Sequence, residues 1–251
     1  MDTNAIYVLW LRDTKRFIRA KSRIIGMLMM PIFFLLGLGL GLGSLVHLST
    51  GGSYFDFIVP GIIGMSLLFT SIFTGSAVLW DRQFGFLKEI LVTPNSRTSI
   101  VIGRIFGGGT TAILQSILVV AIALLLGFQI HITALTILAL VFMALIAATF
   151  IGLGLTLGSL ISDFQGFQLV TSFFTMPLFF LSDSIFPASA LPTYVQYIIY
   201  LNPLTYGVDG LRNALLGTGT FSIWTDLLAM LISTIIMVSI AAYAFSKTEV
   251  G

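Results

Sequence analysis

Hydrophobic positions along this chain come in blocks of about twenty, the length that crosses a hydrocarbon layer of about 30 Å, with short polar interruptions between them. Six blocks read as membrane spans: Ile24–Leu45, Phe57–Leu79, Ile105–Gly127, Ala134–Leu160, Phe167–Leu181 and Leu227–Phe245. The fifth is short for a full crossing, and a start nearer Asp163 lengthens it. Between the last two lies "FPASALPTYVQYIIYLNPLTYGVDGLRNALLG". Its segments Tyr194–Leu201 and Leu204–Leu216 are apolar enough for lipid but too short to cross at about 1.5 Å per residue. Asn202-Pro203 breaks the helix between them, because proline withholds a donor and restricts its predecessor. The pattern predicts a re-entrant helical hairpin, whose irregular backbone must be buried in protein or face a watery cavity. A seventh crossing is the competing interpretation; an even count suits Lys247, beyond the last block, better.

Two stretches are amphipathic rather than uniformly apolar. At 100° per residue, Arg12, Lys15, Arg16, Arg19 and Arg23 form one stripe, opposite Ile6, Tyr7, Trp10, Leu11, Thr14, Phe17 and Ile18. That predicts a helix lying in the membrane interface, with Trp10 and Phe17 toward the acyl chains and Arg12, Lys15, Arg16 and Arg19 toward anionic headgroups or a cytosolic partner. A plain topology anchor is the other reading. The second stretch, "WDRQFGFLKEILVTP", puts Asp81, Arg82, Gly85, Lys88 and Glu89 on one helical face and Phe84, Phe86, Leu87, Ile90 and Leu91 on the other. Pro94 ends it by forcing Thr93 out of helical geometry. Such a helix either shields its apolar side against the bundle or protrudes as a knob that fits a cytosolic subunit.

Composition sharpens this picture. Of 251 residues 57% are hydrophobic and 9% charged, against about 25% charged in soluble domains, so the surface faces lipid. Every basic residue except Arg212 lies before the first block, between the second and third, or after the sixth. By the positive-inside rule both termini and the Trp80–Arg104 loop are cytoplasmic in a multi-pass protein of the cell membrane. The N-terminal segment is long and amphipathic, unlike a cleavable signal peptide. Cysteine is absent, which removes disulfides and thiolate metal sites.

Catalytic chemistry has little to stand on. None of the four lysines, Lys15, Lys21, Lys88 and Lys247, follows a glycine, so the phosphate-binding Gly-x-x-x-x-Gly-Lys pattern is missing. Gly107-Gly108-Gly109 instead suits close helix contact, as do Gly37, Gly39, Gly41 and Gly43 in the first block and Gly154 and Gly158 in the fourth. His47 and His131 stand alone in predicted outer loops, so no metal site is expected. No serine in a span has a histidine base. Asp56 and Asp163 sit only at span ends, which weakens a proton-coupled carrier.

The stretch "WDRQFGFLKEILVTPNSRTSIVIGR" resembles the cytoplasmic coupling-helix motif of type 2 ABC exporter permeases, especially the daunorubicin-resistance-like branch of the drug, polysaccharide and lipid exporter group. "YLNPLTYGVDGLRNALLG" is similar to that family's Asn-Pro-Leu-Thr-Tyr stretch before the last span. Arg82, Phe84, Gly85, Leu87 and Pro94 match the commonest pattern; Gln83, Phe86 and Lys88 depart from it. The resemblance covers essentially the whole chain, residues 1–251, as one transmembrane domain. It implies an all-helical protein of six spans. Residues 1–23 form an interfacial helix, residues 24–182 hold spans one to five with the coupling helix at 80–94, residues 183–222 form an outer re-entrant hairpin, and residues 223–251 form span six and a cytoplasmic tail. Asp81, Arg82, Phe84, Gly85, Leu87, Lys88, Glu89 and Pro94 would contact an ATPase subunit, which holds the ATP and Mg; this chain binds no cofactor. Tyr197, Tyr200, Asn202, Pro203, Tyr206, Asp209 and Arg212 would close the outer end of the pathway. Asp209 and Arg212, three apart on one helical face, are expected to pair. Two permeases, with a homodimer favoured, would export a hydrophobic or amphipathic substrate such as a drug-like molecule, a lipid or a lipid-linked glycan. Membrane lipids are partners and nucleic acid is not. An ATPase-independent carrier or scramblase, and a non-transporting assembly factor, are the alternatives.

Overall fold

The computed structural model describes residues 3–41, 43, 53–84 and 97–247, and these are helical with short connections and no strand. Helix α1 spans Thr3–Arg19 and α2 spans Lys21–Phe34, continuing as a π-helix over Leu35–Gly41. Helix α3 spans Tyr54–Thr74 and α4 spans Ser76–Gln83. Helices α5, Arg97–Leu125, and α6, Leu138–Leu160, follow, the latter entered through a 3-10 turn at Ala134–Ile137. Helix α7 is Phe164–Phe180, α8 is Thr193–Leu201, α9 is Pro203–Leu216 and α10 is Ile223–Ser246.

Local chemistry sets these boundaries. The Asp163 carboxylate accepts the Gly166 N–H at 2.6 Å and caps α7. The Asn202 Oδ1 accepts the Leu204 N–H at 3.0 Å, with Pro203 in the first helical position, where its missing donor costs nothing. Helix α9 ends at Gly217, whose φ of 72° lies in the left-handed region that a helix C-terminus favours and glycine adopts freely.

Helix α3 is the axis of the bundle, in contact with α5, α6, α7, α9 and the π segment of α2. Its largely apolar sequence suits that position: Ile58, Val59, Ile62, Ile63, Leu67, Leu68 and Ile72 are all sealed from the surface. Helices α2 and α10 lie outside and present open rows, Ile25, Phe33, Leu36 and Leu40 on one, Trp224, Leu228, Ile232, Ile235 and Tyr243 on the other. Rows that large are unsuited to water and suited to hydrocarbon, where the helix closes its own backbone bonds. Between α3 and α4 the chain turns at Gly75, pressed against the backbone of α6: a Cβ there would overlap the Gly154 carbonyl, and one at Gly158 would overlap the Gly75 carbonyl. The small residues of the fourth block therefore serve contact within one chain.

Among the described residues five helices are long and apolar enough to cross a membrane: Ile24–Gly41, Tyr54–Asp81, Thr98–Leu125, Ala134–Leu160 and Ile223–Ser246. Helix α7, at 17 residues, reaches about 25 Å at about 1.5 Å per residue. Helix α5 begins at Arg97, so Arg104 lies two turns inside a helix and not in a loop. Helix α1 lies along α5. Ile6, Leu9 and Asp13 meet the flat strip that Gly103 and Gly107 leave on α5, while Tyr7 and Ile18 are exposed. Trp10 donates its indole N–H to the Thr110 hydroxyl of α5 at 2.9 Å.

Candidate functional site

The residues singled out by sequence gather at the two ends of α3. At its C-terminal end, Trp80–Gln83 form the last turn of α4, a helix that already begins at Ser76. Asp81 was expected on an exposed charged face, yet it is buried and ion-paired with Arg104. The Arg104 guanidinium is wholly buried, and its Nε and Nη1 have no hydrogen-bond partner among the described residues. Arg12 of α1 reaches the same carboxylate at 3.9 Å. One carboxylate thus joins α1, α4 and α5. Phe84, expected on the sheltered side, is 66% exposed and stacks on Trp80 at 5.6 Å with the rings 6° apart. The burial of Asp81 and Phe84 is the reverse of their helical-wheel reading: Asp81 turns in to pair with Arg104, which the wheel does not contain. Phe164, at the start of α7, closes the aromatic group 5.5 Å from Trp80. Gly85, Leu87, Lys88, Glu89 and Pro94 lie outside the described residues. A cavity of about 280 Å³ opens beside this end, lined by Asp13, Arg16, Phe17 and Trp80 among others; Lys15 and Arg19 are not among its lining residues.

At the other end α8 and α9 form a hairpin closed by its own polar groups. The Asn202 amide donates to the Leu178 and Leu181 carbonyls, both at 2.6 Å, and so fastens the turn to the end of α7. The Thr205 hydroxyl donates to Ile199 O at 2.6 Å and the Tyr206 hydroxyl to Tyr200 O at 2.8 Å. Tyr197 faces outward, whereas Tyr200 and Tyr206 pack their rings on Phe221 at 5.5 and 5.4 Å.

Arg212 and Asp209 pair at 3.3 Å, both buried. The shorter bonds of Arg212 run to Asp183, with Nη1 on the carboxylate and Nη2 on the backbone carbonyl, each at 2.9 Å. Its guanidinium lies over the Phe57 ring, 4.1 Å from the centroid. Asp209 in turn accepts the N–H groups of Thr220 and Phe221 and so binds the loop that follows α9. Burial lifts the Asp183 carboxyl above its ordinary value, while the Arg212 charge and the Ala188 N–H pull the other way. Asp183 also holds φ at 57°, in the left-handed region that aspartate tolerates better than most residues other than glycine. A cavity of about 480 Å³ lies under the hairpin, walled by Asp56, Phe57, His131, Asp183, Tyr200 and Arg212 among others. The His131 Nδ1 donates to the Leu216 carbonyl at 2.9 Å. Among the described residues no group of three or more acidic or histidine side chains could hold a metal ion.

Sequence reasoning missed Asp183 and took Arg104 only as a marker of orientation. The signal for both was available: an ionisable residue beside or within an apolar run demands a partner. Which partner is a tertiary fact, since the pairs are 23 and 29 residues apart. Also missed was a buried polar group midway along the bundle, where the Thr70 hydroxyl donates to Gln115 Oε1 at 2.9 Å.

Residues 4–216 match the family model described as ABC-2 type transporter. The chain is 30% identical over 217 residues to the inner membrane transport permease YadH of Escherichia coli K12, covering 85% of this chain and 83% of that one. It is 30% identical over 212 residues to nodulation protein J of Rhizobium leguminosarum bv. viciae, covering 83% and 81%. To nodulation protein J of Rhizobium meliloti strain 1021 it is 29% identical over 201 residues, covering 79% and 76%. A helical bundle with five bilayer-length apolar helices, matched over most of its length by transport permeases, belongs to the ABC-2 type transporter family, as the multi-pass membrane subunit of a transporter.

Proposed function

We propose that this chain is the permease of an ATP-driven exporter, which moves a hydrophobic or amphipathic solute away from the cytoplasm while a separate subunit hydrolyses ATP. The observation that carries the reading is the family match over residues 4–216, in a chain whose sequence has no phosphate-binding lysine of its own. The family implies an ABC ATPase partner. In this reading α7 is a sixth, short crossing, the α8–α9 hairpin enters from outside, and both termini and the loop after α4 face the cytosol, where nearly all the basic residues fall. Residues 80–94 carry the ATPase's motion inward; Asp81, held by Arg104, and Phe84, exposed beside it, suit the anchored root of such a segment. Asn202, Pro203, Tyr206, Asp209 and Arg212 hold the hairpin closed over the outer end. Two such permeases, alike in the simplest case, form the route between them. Lipid-facing α2 and α10 favour a substrate that partitions into the bilayer, including drug-like, lipid and lipid-linked glycan classes.

The test is reconstitution. The chain and a candidate ABC ATPase from the same genome, co-expressed and placed in proteoliposomes, should co-purify and hydrolyse ATP faster together than the ATPase alone, with ATP-dependent movement of an amphipathic dye. An ATPase that neither binds nor responds to the permease, with dye movement independent of ATP, would establish the passive carrier or scramblase instead.

A further inference from the structure

A proline within a helix has no N–H to give to the carbonyl four residues before it. In α2 that proline is Pro31 and the carbonyl belongs to Met27. In hydrocarbon such an orphan is costly, and a neighbouring helix must satisfy it. Here the donor comes from α5: Gln115 Nε2 lies 3.3 Å from Met27 O. The same nitrogen is 3.3 Å from the Ser66 hydroxyl, and Gln115 Oε1 accepts from Thr70. Met27 O only accepts, so the contact fixes which end of the buried Gln115 amide faces α2.

The rest of α2 makes this contact consequential. Four residues past Pro31 the helix changes winding, running as a π-helix from Leu35 to Gly41, a geometry that marks functional irregularity in helices. In this half Gly39 meets the Phe55 ring and Leu35 is sealed, while Phe33, Leu36 and Leu40 stand open. The span window Ile24–Gly41 is only 17% buried, against 78% for Tyr54–Asp81. Helix α2 therefore combines an internal proline with its missing backbone bond, a π-wound second half and little packing, with a polar side chain of α5 reaching the unpaired carbonyl.

We propose that Pro31 is a hinge about which the half of α2 from Pro31 to Gly41 turns, and that Gln115 is the positioning residue that sets its resting angle by standing in for the missing N–H. The half beyond the hinge is then a movable wall of the transport route. The hinge rests on the geometry of α2, α3 and α5 alone, whether or not an ATPase drives the chain.

The test is amide hydrogen exchange on the full chain in lipid nanodiscs. Gln115→Met keeps the volume and removes the donor. Peptides covering residues 31–41 should exchange about threefold faster or more, the factor matching a typical interhelical hydrogen bond in a membrane, while peptides of α6 stay unchanged. Adding Pro31→Ala should return residues 31–41 to wild-type protection, because the N–H restored at position 31 closes the bond to Met27. A role in core packing alone predicts that Pro31→Ala brings no such recovery. Unchanged exchange in Gln115→Met, or a change that Pro31→Ala leaves in place, overturns the proposal. Should Gln115→Met fail to insert, the folded yield of the double variant reads the same coupling: recovery supports the hinge and no recovery overturns it. If reconstituted wild type shows no response to an ATPase, the exporter reading fails and the exchange result stands by itself.

Discussion

At the scale of single residues, the charges in this oily chain hold positions, and each can be tested by stranding its partner. Arg104 is wholly buried against Asp81. Removing one member of a buried pair leaves an uncompensated charge and costs about 3–5 kcal/mol, while replacing both with apolar groups is often neutral. Asp81→Ala should therefore lower the melting temperature of the detergent-purified protein sharply, and Asp81→Ala with Arg104→Met should recover most of the loss. Equal melting of the single and double variants would show that the pair is not the anchor of α4. Arg212 differs because it is shared: Asp183 supplies two acceptors at 2.9 Å and Asp209 one at 3.3 Å. Asp183→Ala leaves its backbone carbonyl on Arg212, whereas Asp209→Ala removes the acceptor for Arg212 and for the Thr220 and Phe221 N–H groups, so Asp209→Ala should cost more in protection, read by proteolysis or hydrogen exchange of residues 193–221. The reverse order would make the Asp183 carboxylate the principal latch.

At the scale of elements, the apolar blocks were legible because a bilayer imposes one length on every crossing helix. Five blocks became helices of that length. The hairpin break was legible too, since Asn202-Pro203 carries its own stop signal. What the sequence could not convey was adjacency. A helical wheel finds the apolar side of α1, but not that Ile6, Leu9 and Asp13 meet the room that Gly103 and Gly107 leave on α5. Likewise the wheel turned Asp81 outward and Phe84 inward, and the structure has the opposite, since the wheel holds no record of Arg104. The α4–α6 contact carries a prediction at this scale. At Gly75 an added Cβ would overlap backbone of α6, which cannot yield as a flexible side chain can. Gly75→Val should thus lower folded yield several-fold, whereas Gly109→Ala, where a Cβ meets nothing within 4 Å, should leave it near wild type. Similar yields for both would mean that α3 and α4 do not depend on that close approach.

Across the whole molecule the two ends of α3 are chemically unlike, and the proposed mechanism needs them on opposite faces of the membrane. One end holds Arg12, Arg104 and the root of the loop after α4; the other holds the Asp183–Arg212–Asp209 group and the cavity of about 480 Å³ under the hairpin. Helix α3, buried on nearly every side, runs between them. Motion delivered near residue 85 would travel along it to the hairpin, so the ends can be uncoupled separately. Gly85→Trp should leave the permease inserted but abolish stimulation of the ATPase, whereas Arg212→Met should keep ATPase binding and alter export or leak. Orientation is checked first, and the absence of native cysteine makes this direct. Single cysteines at Ser96 and Ser246 should react with a membrane-impermeant maleimide only after the membrane is opened, and one at Thr218 should react in intact cells. The even number of crossings, which includes the 17-residue α7 as a full span, rests on that outcome. If Ser96 and Ser246 label from opposite sides, α7 or the hairpin has been assigned the wrong way across the bilayer. The outer gate would then have to be sought elsewhere in the fold.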